Sequence, residues 1–227
     1  MKICIISGAT EDYLYRLLVL YKSLRKYHKN IYFHAHLINI NNDNEFEKIN
    51  DLFLSINYSK IDTEDKDIIK NYASNIRSRL LNNLIPNFHK LFWFDADTII
   101  RKTIVELCNY LDISNIVAYK NYNTKNKIKT KGEYKTGIIG FNNSDINKNI
   151  LQEWDYNTFK NGKEKCYWFQ DQILITTLIF KYINYIKIFN LPKKFIDWEF
   201  NEKSNIWVGK GDRKNNDNYL LEEKKFI

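Results

Sequence analysis

The chain has 227 residues, enough for one full α/β domain with a sizeable core or at most two small domains. Hydrophobic residues make up 44% and aromatic residues 15%, with only 7 Gly and 2 Pro, which excludes a disordered or collagen-like chain and leaves no linker-like stretch. The formal charge of +8, from 35 Lys and Arg against 27 Asp and Glu, favours anionic partners without choosing among nucleic acid, lipid headgroups and phosphorylated small molecules.

Residues 3–6 are a short apolar run ended by Ser7-Gly8-Ala9-Thr10, which predicts a buried strand and a turn. Leu14, Leu17, Leu18, Tyr21 and Leu24 then recur at helical spacing within residues 13–27, as expected of a helix packed on a sheet. A second strand is predicted over 31–38, a polar turn over 39–44 and a helix over 45–56. Ile76, Leu80, Leu81 and Leu84 predict one helix over 68–85, stopped by Pro86. Leu91-Phe92-Trp93-Phe94 is a wholly apolar strand running into Asp95-Ala96-Asp97. Strands alternating with helices argue for a sheet that is parallel in its first half. Ligands of such sheets collect outside the carboxyl ends of the strands, where both Ser7-Gly8-Ala9-Thr10 and Asp95-Ala96-Asp97 fall.

The second half is less regular. It predicts strands over 116–119 and 136–141 and helices over 145–160 and 170–182. Between them residues 120–135 are strongly basic, with Lys120, Lys125, Lys127, Lys129, Lys131 and Lys135 against Glu133 alone. That segment reads either as a loop that meets an anionic ligand or as a solvated surface. Cys4, Cys108 and Cys166 are an odd, widely spaced set, suited to reduced thiols rather than to a disulfide framework or a zinc site. No stretch approaches the roughly 20 apolar residues that span a bilayer, and the first apolar run is too short for a signal-peptide core. The expected location is the cytoplasm, with peripheral membrane attachment left open.

The chemistry concentrates at Asp95 and Asp97. Carboxylates at i and i+2 project to one side of an extended chain, and at the end of a buried strand they make a hard anionic site for Mn²⁺ or Mg²⁺. A divalent ion there can bridge two phosphates and neutralise a departing diphosphate. The spacing alone is weak, because Asp65-Lys66-Asp67 repeats it. That copy has no strand before it and reads as a helix start, where acids favour the helix dipole.

The context of the Asp95 copy is more specific. Arg79-Leu80-Leu81, Leu84-Ile85-Pro86 and Leu91-Phe92-Trp93-Phe94-Asp95-Ala96-Asp97-Thr98 together resemble the donor-site signature of the glycogenin-like and galactosyltransferase-like GT-A glycosyltransferases. Thr136-Gly137-Ile138-Ile139-Gly140-Phe141-Asn142 resembles that family's Asn-x-Gly strand, and Trp168-Phe169-Gln170-Asp171-Gln172 its Asp-Gln motif. The resemblance spans roughly residues 1–214. It implies a single GT-A domain over 1–227, with a nucleotide-binding half (1–100) and an acceptor-side half (101–227). The implied architecture is a Rossmann-like, mostly parallel sheet flanked by helices, with a smaller antiparallel portion.

The resemblance also implies roles. The donor is a nucleotide-sugar, in this family a UDP-sugar, the acceptor a glycan or glycoconjugate, and the anomeric configuration is retained. Asp97 binds the metal, Asp95 the metal or the ribose, and Asp171 and Gln172 line the sugar pocket. Ser7, Ala9, Thr10, Tyr13 and Ala96 face the nucleotide, with the Tyr13 ring available to stack on the base. Arg77 or Arg79 lies near the diphosphate or donor sugar; the motif is displaced by one position, so the two stay alternatives. Val208-Gly209-Lys210-Gly211-Asp212-Arg213-Lys214 fits the late Gly-x-x-Lys spacing, and Lys210 and Lys214 suit phosphate oxygens. Val208 stands where the family places a metal-binding histidine, and His28, His34, His36 and His89 all precede Asp95. Either the two aspartates suffice with phosphate and water, or Asp212 substitutes.

Three rival readings are weaker. A haloacid-dehalogenase-like phosphatase wants Asp-x-Asp-x-Thr, but Ile99 stands at the threonine position. A nucleic-acid binder would show basic stripes interleaved with aromatics, and no such motif is present, so no nucleic-acid partner is expected. A degenerate GT-A-like protein that binds without catalysis would tolerate a change such as Val208.

Overall fold

The computed structural model describes residues 1–41, 44–121 and 133–227. Strand β1 (Ile3–Ala9) leads through Thr10 into helix α1 (Glu11–Tyr27), and β2 (Tyr32–Ile38) returns parallel beside β1. Glu11 and Asp12 in the first turn of α1, with Arg25 and Lys26 in its last, match the helix dipole, and Leu17, Leu20, Tyr21 and Leu24 form its buried stripe.

The helix expected over 45–56 is not formed. A 3-10 turn (Glu45–Lys48) is followed by a strand, β3 (Leu54–Ser59), parallel to β2. Local hydrogen bonding decides this. The Asn44 side chain accepts from Phe46 N at 2.9 Å, and Asp51 accepts from Phe53 N at 2.8 Å and from the Tyr21 hydroxyl at 2.6 Å. Arg25 also pairs with Asp51. Leu54, Ile56 and Tyr58 then pack on one face of the sheet at period two.

The single helix expected over 68–85 is two, α2 (Lys66–Asn75) and α3 (Arg77–Leu84), broken at Ile76. There the Asn75 amide donates to Asn71 O at 2.7 Å and to Tyr167 O at 3.1 Å, so side-chain bonding competes with the helical ladder. A 3-10 turn containing Pro86 ends the segment.

Next come β4 (Lys90–Phe94), β5 (Thr98–Ile100), α4 (Val105–Ile113), β6 (Ile116–Lys120), β7 (Tyr134–Asn142) and α5 (Asp145–Phe159). The chain closes with α6 (Gln170–Lys181), β8 (Ile188–Asn190), β9 (Ile206–Val208) and α7 (Asp217–Glu223). The three-residue strands and α4 are additions to the expected elements. Lys125, Lys127, Lys129 and Lys131 lie outside the described residues.

Seven strands form one sheet in the order β3-β2-β1-β4-β7-β6-β8. It is parallel from β3 to β4, antiparallel at β4-β7 and β7-β6, and parallel again at β6-β8. A small antiparallel sheet pairs β5 with β9. The strands alternate faces as the pleat requires. Cys4, Ile6, Leu91 and Trp93 pack under α2, α3, α5 and α6, whereas Ile5, Phe92 and Phe94 pack with α1 and α4. Both faces are therefore covered, as in α/β folds built on a sheet with helices on its two sides. Among the described residues no helix is long and apolar enough to cross a membrane. The three cysteines are free and buried.

Candidate active site

A cavity of about 610 Å³ opens at the carboxyl ends of β1, β2 and β4, within the range of clefts that bury small-molecule ligands. Ala9, Thr10 and Tyr13 form one wall, Asp95, Ala96 and Asp97 the floor, and Arg77 with the first turns of α2 the opposite wall.

The two aspartates do not sit on an extended chain. Strand β4 stops at Phe94 and residues 96–97 form a turn, so the two carboxylates reach the same site by that turn and not by the pleat. Asp95 is fixed from three sides. Its N–H donates to Gly137 O at 2.8 Å, its Oδ1 accepts from Trp93 Nε1 at 2.8 Å, and Arg77 Nη1 lies 3.3 Å from the same oxygen. Gly137 has a physical reason to be glycine, since a Cβ there would come within 3.0 Å of Asp95 Oδ2. Asp97 is held through its backbone, its carbonyl accepting from Gly209 N and from the Tyr219 hydroxyl, each at 2.7 Å.

Part of Asp97 is open to the cavity, yet the protein packs densely around its carboxyl. That burial, reinforced by the Asp95 charge, pushes its pKa up to about 7 against the opposing pull of Lys214 and Arg16. A buried carboxyl pushed up beside a second acidic group is the electrostatic mark of a site short of positive charge. The residues fit a hard divalent cation on that ground. Among the described residues no third acid, histidine or cysteine joins the pair, so the protein supplies two ligands at most.

Arg77 resolves the arginine alternative. It is 7% exposed and lies between Asp95 and Asp171, with Nε 3.1 Å from Asp171 Oδ2, Nη1 donating to Thr136 O at 2.8 Å and its guanidinium 5.2 Å from the Trp93 ring centroid. The Asp171 contact is an ion pair lying off the hydrogen-bond axis, because Nε donates to Ser74 O at 2.9 Å. Arg79 points away, to Asp155 at 3.2 Å and over the Phe159 ring. Asp171 and Gln172 are buried behind Arg77 and are not part of the cavity wall. Burial holds the Asp171 carboxyl above its usual range, with Arg77 opposing. Ser7 is likewise buried beneath the floor.

At the far wall the Lys214 ammonium donates to the Tyr13 hydroxyl and sits 4.5 Å from its ring centroid. Lys210 is exposed, with its ammonium 4.8 Å from the Trp198 ring centroid. The late segment meets the aspartate turn because β9 pairs with β5, Val208 opposite Thr98. Val208 is a buried apolar side chain, and Asp212 is exposed and joins no cluster of potential metal ligands among the described residues. The four histidines serve structure. His28 accepts from Ile104 N, His89 from Lys2 N, and His34 and His36 bond Ser55 and Ser59.

Sequence reasoning missed several contributors. Trp93 reads as core, and nothing in the pattern announces its indole N–H on Asp95. Tyr219 and Gly209 act through the Asp97 backbone, which no motif encodes. Asp65 caps α2 as expected, accepting from Asp67 N at 2.8 Å, yet Lys66 and Asp67 line the cavity and are more than a solvated helix start.

No family model matches the sequence, and no curated protein is similar to it at significance. Solved structures do match. The chain is similar to the bifunctional glycosyltransferase WbbM at 15% identity, covering 98% of this chain and 49% of that one, with a TM-score of 0.64. It is similar to the galactosyltransferase LgtC, solved with donor and acceptor sugar analogues, at 14% identity over 99% and 94% of the two chains (TM-score 0.64). It also matches the glycosyltransferase GlyE of Streptococcus pneumoniae at 12% identity, over 100% of this chain and 60% of that one (TM-score 0.67). The chain thus spans about half of WbbM and three fifths of GlyE. The architecture of this chain is that of the GT-A-type glycosyltransferases.

Proposed function

We propose that the chain is a glycosyltransferase that moves a sugar from a nucleotide diphosphate donor, a UDP-sugar, to a glycan or glycoconjugate acceptor. The observation that carries this reading is the aspartate turn after β4 in a ligand-sized cavity, facing Arg77 on one side and, on the other, Tyr13 with the Lys214 ammonium against it. In this reading Ala9, Thr10 and Tyr13 receive the nucleoside, and the Tyr13 ring stacks on the base. Lys214, and Lys210 from the rim, neutralise diphosphate oxygens as point charges.

Asp95 and Asp97 would hold Mn²⁺ or Mg²⁺, with phosphate and water completing the coordination. When bound, such an ion supplies charge neutralisation to the leaving diphosphate. Arg77 orients the donor sugar. Its own position is set by Asp171 behind it and Asp95 beside it, so it approaches the sugar without reorganising.

Retention is the stereochemical outcome this arrangement favours. Inversion needs a base within reach of the acceptor hydroxyl. Asp171 is the candidate base, but it is 3% exposed and shielded from the cavity by Arg77. With Asp171 withheld, a departing phosphate oxygen takes the acceptor proton on the face it leaves, and configuration is kept. A second reading, a nucleotide-sugar binder without catalysis, draws on the apolar Val208 beside the aspartate turn.

The deciding experiment is calorimetric titration of UDP and then of a panel of UDP-sugars, with and without Mn²⁺. Mn²⁺-dependent binding that prefers one sugar is the expected result. Absence of any nucleoside diphosphate binding, with or without metal, would remove the transferase reading.

A further inference from the structure

The cavity wall opposite Tyr13 carries its own set of charged and aromatic groups. Helix α2 carries Lys66, Lys70 and Ser74 along its cavity-facing side, one turn apart, and leads to Arg77 at the aspartates. Trp168 lies against the same wall. It is 47% exposed, and the Lys70 ammonium sits 4.9 Å from its ring centroid.

Trp168 is held there by construction. Phe169, which follows it, has φ of 68°, a left-handed conformation that is costly for a bulky side chain. Anchors on both sides maintain it. Asn75 of α2 donates to Tyr167 O at 3.1 Å, Gln170 Oε1 accepts from Tyr167 N at 3.1 Å, and Gln170 Nε2 donates to Thr158 O of α5 at 3.0 Å. The fold therefore accepts backbone strain in order to present a large aromatic ring to the cavity instead of tucking it into the core.

We propose that Trp168, Lys70 and Lys66 form a saccharide subsite that takes an acidic pyranose. Only the naming of that ligand as the acceptor rests on the transferase reading. A pyranose ring offers an apolar C–H face that an exposed indole can cover, and a carboxylate substituent on it meets the two ammonium groups. Neither lysine has an ion-pair partner among the described residues, so both charges are available. Asp67 on the same wall accepts from sugar hydroxyls and leaves the wall net positive. A nucleobase would stack on the same ring, but Tyr13, with Lys214 against it, stands at the opposite wall for a nucleotide.

The test uses two sugars and one nucleotide. Saturation-transfer NMR is recorded with methyl β-glucuronide and methyl β-glucoside, and UDP is titrated by calorimetry, on the wild type, Trp168→Ala and Lys66→Gln/Lys70→Gln. The wild type is expected to show the glucuronide signal at least about fivefold above the glucoside signal, the effect of roughly one partly desolvated charge contact. Trp168→Ala should lose the glucuronide signal and keep UDP binding, and the lysine double variant should bring glucuronide down to the glucoside level. Equal signals from the two sugars, or a glucuronide signal that survives Trp168→Ala, would overturn the proposal. Loss of UDP binding in Trp168→Ala would assign the ring to the nucleotide and overturn it too. Glucuronide bound at Trp168 in a wild type that ignores UDP would uphold the subsite and remove the donor reading alone.

Discussion

Asp97 and Asp67 share a local sequence pattern and differ in everything around them. Asp97 lies in a turn whose carbonyl is clamped by Gly209 and Tyr219 and whose carboxyl faces Asp95, whereas Asp67 sits one step inside a helix capped by Asp65. Asp97→Asn is accordingly expected to abolish Mn²⁺-dependent binding of UDP in calorimetry, and Asp67→Asn to leave it intact. Equal losses would mean that the wrong aspartate pair has been chosen. Val208→His tests the neighbouring strand. Placed opposite Thr98, an imidazole should tighten Mn²⁺ binding by at least about tenfold, equivalent to about 1.4 kcal/mol. Unchanged Mn²⁺ affinity would show that the Val208 side chain keeps to the core side of β9.

The C-terminal helix is what turns those residue effects into a site. Tyr219 of α7 is wholly buried and its hydroxyl reaches the Asp97 carbonyl, while a Cβ at Gly209 would come within 2.9 Å of the Tyr219 ring. Tyr219→Phe keeps the ring and deletes one hydrogen bond, so a stability loss of about 1 kcal/mol in urea unfolding is expected, accompanied by weaker Mn²⁺ binding. A stability loss with Mn²⁺ binding untouched would make α7 a prop and nothing more. Packing between strands is tested at Gly140, opposite Phe92 in the β4-β7 pair. A Cβ there would collide with the Phe92 ring, so Gly140→Ala should cost about 1–3 kcal/mol, read as a lower Tm. At this scale the sequence was legible where periodicity ran long, as in α1 and α5, and illegible where three residues made a strand. Residues 45–56 misled because Leu54, Ile56 and Tyr58 alternate at period two over a stretch that also satisfies a helical pattern. Hydrogen bonds that Asn44 and Asp51 accept from nearby backbone N–H groups, together with pairing to β2, settled the competition.

His34 and His36 should weaken the folded molecule in mild acid, against Asp97, whose raised pKa favours the fold as the pH drops. His34 and His36 are buried side by side on β2, and burial pushes the pKa of each down to about 4. In the unfolded chain both take protons near pH 6.5, whereas the folded protein refuses them until about pH 4. The unfolded state therefore binds more protons in that window, and stability present above pH 6.5 is lost as the pH falls towards 4, by on the order of a few kcal/mol. In urea unfolding at pH 7.5, 6 and 5, stability should fall more steeply for the wild type than for His34→Gln with His36→Gln. Identical slopes in the two proteins would show that the two imidazoles reach solvent or a proton partner.

By itself the sequence determined the alternation of strand and helix, the two covered faces of the sheet and the position of the acidic motif at a strand end. These are local properties, set by hydrophobic period and by turn chemistry, and they survive without knowledge of what packs against them. It also singled out Arg77 and Arg79 as alternatives, Asp171 and the late glycine segment, but not how they meet. Only the tertiary structure chose Arg77 over Arg79, because the two face different neighbours, the aspartate turn and α5. Only it buried Asp171 behind that guanidinium and brought Val208, Gly209 and Tyr219 to Asp97, through pairing of strands more than a hundred residues apart. Contacts of that kind depend on which surfaces the folded chain brings together, and no period or spacing along the chain encodes them.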